Sequence, residues 1–278
     1  MQGRYFSISN VLVLVLALLL ISCANTTRSG AVGVNRSQFM MVSSADIDQM
    51  SATAYNQERQ KAKEKNILVT SGPTYERLKV IANRLIPQTQ AFRDDTRQWE
   101  WQLTLINSPT LNATCAPGGK ITFYTGLIEQ LNLNDDEIAA IMGHEMAHAL
   151  REHGRERVSQ AMAQNMLANI AMAAAGPYGS AVSAANQMAH YVLVLPNSRE
   201  NESEADAIGL ELAARAGYNP RGAITVWEKM IRATKEKNTM EFLSTHPSGE
   251  TRIEQLTALM PLVEPLYKVT PIQGSSKK

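Results

Sequence analysis

One segment constrains the fold and chemistry of this chain more than any other: a predicted helix that carries two histidines one turn apart. Asn134 can cap the start of this helix, and the acidic residues that follow suit its positively polarised first turn. An apolar stripe begins at Ile138 and predicts that one face is buried. His144 and His148 are four residues apart, so both imidazoles project from the same face.

The pattern His144-Glu145-x-x-His148 is typical of a zinc site. Zinc binds neutral imidazole nitrogens at about 2.0–2.1 Å, and catalytic sites use three protein ligands with water in the fourth place. Glu145 follows the first ligand directly, and its side chain can reach that water as a general base. The alternative is a pair of surface histidines with no metal, and a third ligand would decide between the two.

The best candidate for the third ligand is Glu202. On a predicted helix Glu202 and Asp206 are four residues apart and share a face. Glu202 can then bind zinc while Asp206 accepts the spare N–H of a ligand histidine. Glu200 and Glu204 are expected on a solvated face of the same helix. These residues predict one zinc ion per chain.

Helical patterns dominate the rest of the sequence, with two short strands. Apolar and polar residues alternate from Trp99 to Leu105, which predicts a half-buried strand, and a second strand is predicted over 121–124. Hydrophobic residues make up 44% of the 278 positions, enough for a core, so a disordered chain is excluded. We therefore predict an α+β fold, mostly helical, with a small β-sheet packed on the helices that carry the site.

The charge balance and cysteine content exclude two further classes of protein. Lys and Arg total 27 against 26 for Asp and Glu, so no basic excess favours nucleic acid as a partner. With 2 cysteines, the chain is not a disulfide scaffold.

The N-terminal residues have the order of a secretory signal. The apolar run Val11–Ile21 is too short to span a membrane, follows a start with one charge at Arg4, and precedes small and polar residues. Leu20-Ile21-Ser22-Cys23 resembles a bacterial lipobox, which implies that Cys23 is lipidated and begins the mature protein. The alternative is an ordinary signal peptide with a cysteine near its end.

Several motifs along the chain form one combination: His-Glu-Met-Ala-His at 144–148, Glu-x-Glu-Ala-Asp at 202–206 followed by Gly209, Ala-Gly-Tyr-Asn-Pro at 216–220, Thr245-His246-Pro247, and Asn112-Ala113 followed by Pro117-Gly118-Gly119. Together they resemble the HtpX/CAAX-prenyl-protease group of zinc metallopeptidases, peptidase family M-48, over roughly residues 75–260.

The resemblance implies a zincin-like, gluzincin-like endopeptidase in which His144, His148 and Glu202 bind zinc and Glu145 is the general base. It places His246 near the active site, where it would stabilise the oxyanion or act as a gate over the metal; a structural histidine is the alternative. It also implies that the strand 121–124 is an edge strand that pairs with extended substrate; an internal strand is the alternative.

The remaining histidines and the remaining cysteine are given structural roles. We expect His153 to be solvated or to cap a helix near Gly154, and His190 to be structural within an Ala-rich segment. Cys115 is expected to be a partly buried structural cysteine.

These observations predict four regions and a location. Residues 1–22 form a lipoprotein signal peptide, 23–43 the lipidated Cys23 and a flexible tether, 44–265 the zinc metallopeptidase domain, and 266–278 a frayed tail. Ala24 after the cysteine favours the outer membrane of a Gram-negative cell. We expect a protein on the periplasmic side that contacts the membrane through its acyl anchor.

The predicted function is hydrolysis of peptide bonds in unfolded or misassembled envelope proteins by a zinc-dependent endopeptidase. The main alternative is a latent or gated protease that acts as a chaperone-like binding factor in envelope protein quality control. An aminopeptidase, which needs a free substrate N-terminus, is a third hypothesis.

Overall fold

The computed structural model describes residues 23–175, 197–237, 241–246 and 251–269. The predicted signal peptide and His190 lie outside these residues, and the lipidation of Cys23 stays a prediction. Within the described ranges, no helix combines the length and the apolar character needed to cross a membrane.

Helices make up most of the described chain, as predicted for a mostly helical α+β fold. They are α1 (Ser44–Glu64), α2 (Pro73–Leu85), α3 (Thr125–Gln130), α4 (Asp135–Leu150), α5 (His153–Ala175), α6 (Arg199–Arg215), α7 (Gly222–Lys237), α8 (Glu241–Thr245) and α9 (Thr251–Val269), with two 3-10 segments at Ile86–Ala91 and Asp95–Gln98.

The strands form one small sheet and one separate pair. They are β1 (Cys23–Ala24), β2 (Gln38–Phe39), β3 (Leu68–Val69), β4 (Gln102–Ile106), β5 (Ala113–Ala116) and β6 (Lys120–Tyr124). The sheet has the order β3-β4-β6-β5, in which β4 and β6 are parallel and the other pairs antiparallel. Strands β1 and β2 pair with each other, outside that sheet.

The two predicted strands have different outcomes. The strand over 121–124 is confirmed by β6, but the strand predicted from Trp99 is partly wrong, because β4 begins at Gln102. A 3-10 turn ends at Gln98, and the indole of Trp101 donates to the carbonyl of Thr96 in that turn. The alternating pattern therefore extends over a turn whose tryptophans pack on the core without pairing in the sheet.

Helix α4 lies at the centre of the core. Asn134 caps it in a capping box with Glu137, as the sequence indicated for the cap. Every residue from Glu137 to Leu150 is buried, because α6, α7, α2 and β5 all pack around this helix. The two histidines of the predicted site therefore lie in the interior of the domain.

A glycine contact sets the distance between α4 and α6. A Cβ atom at Gly209 would lie 2.6 Å from the backbone nitrogen of His144, and one at Gly143 would lie 2.8 Å from the carbonyl oxygen of Gly209. These separations are shorter than side-chain contacts allow, so glycine is required for the two helices to approach this closely.

The prediction of a flexible tether over 23–43 is wrong for this structure. Gln38 is fully buried and donates to the carbonyl of Arg151 and to Glu156. Val42 is also buried, and the amide of Val32 donates to Glu211 on α6. The Thr-, Ser- and Gly-rich composition indicated little apolar surface to bury, but this segment packs on the domain through hydrogen bonds and charge pairs.

The boundary predicted for a frayed tail at 266 is also wrong. Helix α9 continues to Val269 despite Pro261 and Pro265, and Leu266 and Tyr267 pack against the hydrophobic core. Residues 270–278 lie outside the described part of the chain.

Candidate metal centre

Four buried side chains from three parts of the chain meet in the interior of the domain. His144 and His148 come from α4, Glu202 from α6, and His246 follows the end of α8. Their ligand atoms lie within 4.8 Å of one another, and all four side chains are buried. The structure therefore brings together every metal ligand predicted from the sequence, with His246 as an additional donor.

The spacing of the ligand atoms fits a divalent cation bound in tetrahedral geometry. The Nε2 atoms of His144 and His148 are 3.1 Å apart, and the Glu202 carboxylate oxygens lie 3.3 Å from Nε2 of His148 and 3.5 Å from Nε2 of His144. Ligands at about 2.0–2.1 Å from a tetrahedral ion are separated by roughly 3.4 Å. Two imidazoles and one carboxylate are also the donor set that zinc prefers.

Asp206 and Arg252 fix the orientation of His144. Oδ1 of Asp206 lies 2.9 Å from Nδ1 of His144, so the opposite nitrogen faces the ligand cluster. Arg252 binds the Asp206 carboxylate through Nε at 2.7 Å and also donates to Glu202 through Nη1 at 2.7 Å. Its guanidinium lies 3.7 Å from the ring centroid of Trp227. The role expected for Asp206 agrees with this arrangement.

The charges around the cluster favour a bound cation. Burial alone would lower the pKa of His144, but the carboxylates of Asp206 and Glu202 raise it to about 9. Burial lowers the pKa of His148 well below its ordinary value, so its ring is neutral, which is the form that binds metals. The pKa of Glu202 is lowered, because the surrounding histidines outweigh its burial.

His148 is oriented by His153, a residue for which the prediction is wrong. Nδ1 of His148 lies 2.8 Å from Nδ1 of His153, whose Nε2 lies 3.0 Å from Oε2 of Glu204. His153 is fully buried, where a solvated or capping position was expected. Burial lowers the pKa of His153 to about 4, so the ring is neutral. A neutral ring can accept a hydrogen bond at one nitrogen and donate from the other, which links His148 to Glu204.

The expectation of a solvated Glu204 is also wrong. Its side chain is 9% exposed and accepts hydrogen bonds from Arg36 and Arg151 as well as from His153. Burial would raise the pKa of Glu204, but these partners lower it to about 2. Glu200, for which the same expectation was stated, is 65% exposed, and that expectation is confirmed.

Glu145 lies beside the cluster without binding it. Its Oε1 atom is buried and has no hydrogen-bond partner among the described residues, and it lies 3.4 Å from Nε2 of His246. Burial raises the pKa of its carboxyl group. A buried carboxylate oxygen of this kind is free to accept a proton from a group bound at the cluster.

His246 contacts two of the predicted metal ligands directly. Its Nδ1 atom is 3.2 Å from Nε2 of His144 and 3.0 Å from Oε1 of Glu202. The ring stacks on Phe242, with centroids 4.4 Å apart, and its amide donates to the carbonyl of that residue at 2.8 Å. These contacts hold the imidazole against the other three members of the cluster, so His246 could also bind a metal ion there.

A cleft opens on the side of the cluster that faces the sheet. Its lining residues are Thr114, Cys115, Ala116, Pro117, Glu145, His148, Ala149, Gly154, Arg157, Asn197, Thr245 and His246. The edge strand along this cleft is β5, because β6 lies between β4 and β5. The expectation that 121–124 forms the edge is therefore wrong, since the hairpin places the preceding strand outside. Cys115 is buried, as expected, and burial raises the pKa of its thiol.

Sequence reasoning missed Arg252, Arg36 and Arg151 as parts of the site. Each is far along the chain from its carboxylate partner, at no fixed spacing, so periodicity gives no signal for it. For His153, its position five residues after His148 placed it near the ligands, but its burial could not be read from the local sequence.

The fold and the cluster together resemble the class of metallopeptidases that carry His-Glu-x-x-His on a buried helix. Residues 73–260 match peptidase family M48, which is more than half of the 278-residue chain. The chain belongs to this family, so the membership predicted from the motifs is confirmed.

Several curated proteins are similar to the chain. It is 35% identical over 176 residues to the mitochondrial metalloendopeptidase OMA1 of Saccharomyces cerevisiae, which covers 61% of this chain and 50% of that protein. It is 36% identical over 178 residues to the Arabidopsis thaliana protein of the same name, covering 63% and 34%. To the beta-barrel assembly-enhancing protease of Escherichia coli it is 27% identical over 157 residues, covering 54% and 32%. The chain thus spans half or less of the length of these relatives.

These comparisons contradict the expected location. We expected a lipid-anchored protein on the periplasmic side of the outer membrane, but the more similar relatives are mitochondrial metalloendopeptidases, and the bacterial protease is a more distant match. The prediction rested on the apolar run Val11–Ile21, on the lipobox-like sequence Leu20-Ile21-Ser22-Cys23 and on Ala24.

Proposed function

We propose that the chain is a zinc-dependent endopeptidase that hydrolyses peptide bonds of unfolded or misassembled proteins. One observation carries this proposal: a buried carboxylate oxygen of Glu145, without a hydrogen-bond partner in the described chain, lies beside a cluster of three histidines and one glutamate. This is the arrangement that metal-assisted peptide hydrolysis needs.

The residues of the cluster divide the work. His144, His148 and Glu202 would hold the zinc ion, which supplies a Lewis acid and lowers the pKa of bound water. Glu145 takes the proton of the attacking water and delivers it to the leaving amine. The raised pKa of Glu145 suits the delivery of the proton to the amine. A carboxyl group with a raised pKa keeps its proton better near neutral pH and can therefore act as the acid in that step.

The cleft supports an extended substrate. Strand β5 has β6 on one side, and its residues Thr114, Cys115 and Ala116 line the cleft beside Glu145. A peptide that adds to an exposed sheet edge is bound through its backbone, so its side chains are weakly selected. A backbone-reading cleft suits substrates that are defined by being unfolded rather than by a sequence.

The test uses the full chain and its Glu145→Gln variant. The wild type should bind about one zinc ion per chain and cleave an unfolded protein such as casein at internal bonds. Glu145→Gln should bind the same amount of zinc and lose cleavage, because the amide cannot accept the proton. Glu228→Gln, at an exposed position of α7, is the matched control and should cleave like the wild type.

Two results would contradict the proposal. Equal cleavage by Glu145→Gln would remove its role as general base, and product mass spectra with cuts confined to the substrate N-terminus would indicate an aminopeptidase.

The second candidate function is a latent or gated protease that mainly binds its clients. The position of His246 favours it, because Nδ1 lies 3.2 Å from Nε2 of His144 and 3.0 Å from Oε1 of Glu202. A histidine held there would take the coordination position that the attacking water needs.

Replacing His246 by Ala separates the gate from an oxyanion role. A gate predicts faster cleavage of casein by His246→Ala than by the wild type, whereas a group that stabilises the oxyanion predicts a loss of about 100-fold in kcat. A binding factor without peptidase activity would retain client binding in Glu145→Gln and show no cleavage in any of these variants.

A further inference from the structure

The hydrogen-bond chain behind His148 does not end at Glu204. It continues to residues 25–42, which precede α1 and which we call the N-terminal strap. The strap lies outside residues 73–260, the part of the chain that matches the family.

Arg36 of the strap donates hydrogen bonds to two carboxylates of the domain, and its Nε atom lies 3.6 Å from a third, that of the exposed Glu200. Its Nε atom donates to Oε1 of Glu204 at 2.8 Å, and Nη2 donates to Oε2 at 3.2 Å. Nη1 and Nη2 also donate to the carboxylate of Glu156, at 2.6 and 2.9 Å. A planar guanidinium with several donors fixes both carboxylates in position, which a lysine ammonium cannot do equally well.

The strap also covers Arg151, which is fully buried. Arg151 donates from Nε to Oε2 of Glu204 at 3.0 Å, from Nη1 to the side chain of Asn25 at 2.8 Å, and from Nη2 to the carbonyl of Arg36 at 3.0 Å. Two guanidinium groups therefore hold the Glu204 carboxylate from two directions, and both depend on the strap.

The direction of the hydrogen bonds follows from the partners of Glu204, whose oxygens accept from the guanidinium groups of Arg36 and Arg151. A carboxylate only accepts, so His153 donates to it from Nε2, and the Nδ1 atom of His153 then accepts from Nδ1 of His148. With its proton on Nδ1, His148 presents the lone pair of Nε2 to the ligand cluster. These hydrogen bonds thus set the tautomer and the ring orientation of His148.

We propose that the N-terminal strap is part of the metal centre. Arg36 holds Glu204, Glu204 orients His153, and His153 orients His148 for metal binding. Arg36, Glu204 and His153 are positioning residues, because none of them touches the ion or a substrate. This inference rests on the proposed zinc site, but it concerns metal affinity rather than peptide hydrolysis.

The test measures the zinc affinity of the full chain by competition with a chelator. The variants are Glu204→Ala, Glu204→Gln, Arg36→Ala and Arg36→Lys. Arg28→Ala is the matched control, because Arg28 anchors the same strap to Asp94 at 2.8 Å and to the carbonyl of Ala91 at 3.1 Å, away from the metal centre.

We expect a graded loss of zinc affinity. Loss of a partner behind a ligand histidine costs about 10- to 100-fold in metal affinity, so Glu204→Ala should weaken zinc binding within that range. Arg36→Ala should weaken it by about tenfold, and Arg36→Lys and Glu204→Gln by less, because each keeps part of the hydrogen bonding. Arg28→Ala should bind zinc within about twofold of the wild type.

The electronic spectrum of the Co²⁺-substituted protein gives a second readout, independent of activity and of folding stability. Arg36→Ala should alter the ligand-field bands because the ring of His148 turns, whereas Arg28→Ala should leave them unchanged even if both variants lower the melting temperature equally.

Two results would overturn the inference. One is an Arg36→Ala protein that binds zinc within twofold of the wild type and keeps the Co²⁺ spectrum. The other is an equal loss of zinc affinity in Arg28→Ala and Arg36→Ala, which would make the strap a general stabilising element. Zinc binding without any peptide cleavage by the wild type would instead contradict the proposed function and leave this inference standing.

Discussion

The two histidines of the metal centre occupy equivalent positions in the motif but are supported in different ways. His144 has a short support: Asp206 contacts its ring, and Arg252 holds Asp206. His148 has a long support that runs through His153 and Glu204 to Arg36 in the strap. The short support lies wholly within the family-matched residues, and the long one leaves them.

If the proposed metal site is correct, the orientation of one of its ligands depends on residues that the sequence motif does not contain. Helix α6 supplies one carboxylate to each support, because Glu204 and Asp206 are two residues apart on it. The side of α6 that carries Asp206 faces α4 directly, whereas Glu204 faces the start of α5, so its hydrogen bond needs His153 as an intermediate.

The largest effect is expected from Gly209→Ala, which should lower the free energy of unfolding and disturb both supports together. A Cβ atom at this position would lie 2.6 Å from the backbone nitrogen of His144, so Gly209→Ala forces α4 and α6 apart. The strain should exceed the roughly 1 kcal/mol that alanine gains in a helix and lower the free energy of unfolding by about 2 kcal/mol or more.

Urea unfolding of the metal-free protein measures this change. Ser203→Ala, on the same helix and partly exposed, is the control and should stay within about 0.5 kcal/mol of the wild type. A Gly209→Ala protein as stable as the wild type would show that the two helices are not held at contact distance.

The next largest effect is expected from breaking the short support alone. Asp206→Ala removes the partner of His144 and leaves Arg252 with one carboxylate instead of two. Zinc affinity measured by chelator competition should fall by about 10- to 100-fold, and by at least as much as in Arg36→Ala, because Asp206 contacts its ligand histidine directly. If Arg36→Ala has the larger effect, the ranking of the two supports is wrong.

The smallest effect is expected at the far end of the long support, at Glu156. Burial alone would raise the pKa of Glu156, but hydrogen bonds from Arg36 and Gln38 lower it below its ordinary value of 4.5. Its charge therefore stabilises the fold above about pH 4.5, and this contribution is lost as the pH falls through the lowered pKa.

Unfolding of the wild type and Glu156→Gln at about pH 7 and about pH 3.5 checks the sign. At about pH 7 the wild type should have a larger free energy of unfolding than Glu156→Gln. At about pH 3.5 the difference between the two proteins should be smaller. A difference that grows on acidification would mean that the pKa of Glu156 is raised rather than lowered in the folded state.

The parts of the site with a fixed spacing could be predicted from the sequence. His144 and His148 share a helix face because they are four residues apart, and the same spacing pairs Glu202 with Asp206. The capping box at Asn134 is equally local. These features depend on helix geometry alone, so they do not require knowledge of the packing.

The features that depend on packing between distant segments could not be predicted. The Thr-, Ser- and Gly-rich composition of the strap gives no sign that Arg36 meets two buried carboxylates more than a hundred residues later. The family resemblance implied that 121–124 forms the edge of the sheet, but β5 takes that position. The local sequence of neither strand encodes the pairing order.

The length of β5 has a consequence for what the cleft can accept under the proposed function. Its four residues span about 13 Å, at roughly 3.3 Å per residue. A polypeptide that pairs along this edge must offer a stretch of similar length whose own backbone groups are unpaired. In a folded domain such stretches occur at sheet edges and at locally opened segments. Strand β5 would therefore select substrates by their local unfolding. A folded substrate would be cut at a rate set by how often a segment of this length opens.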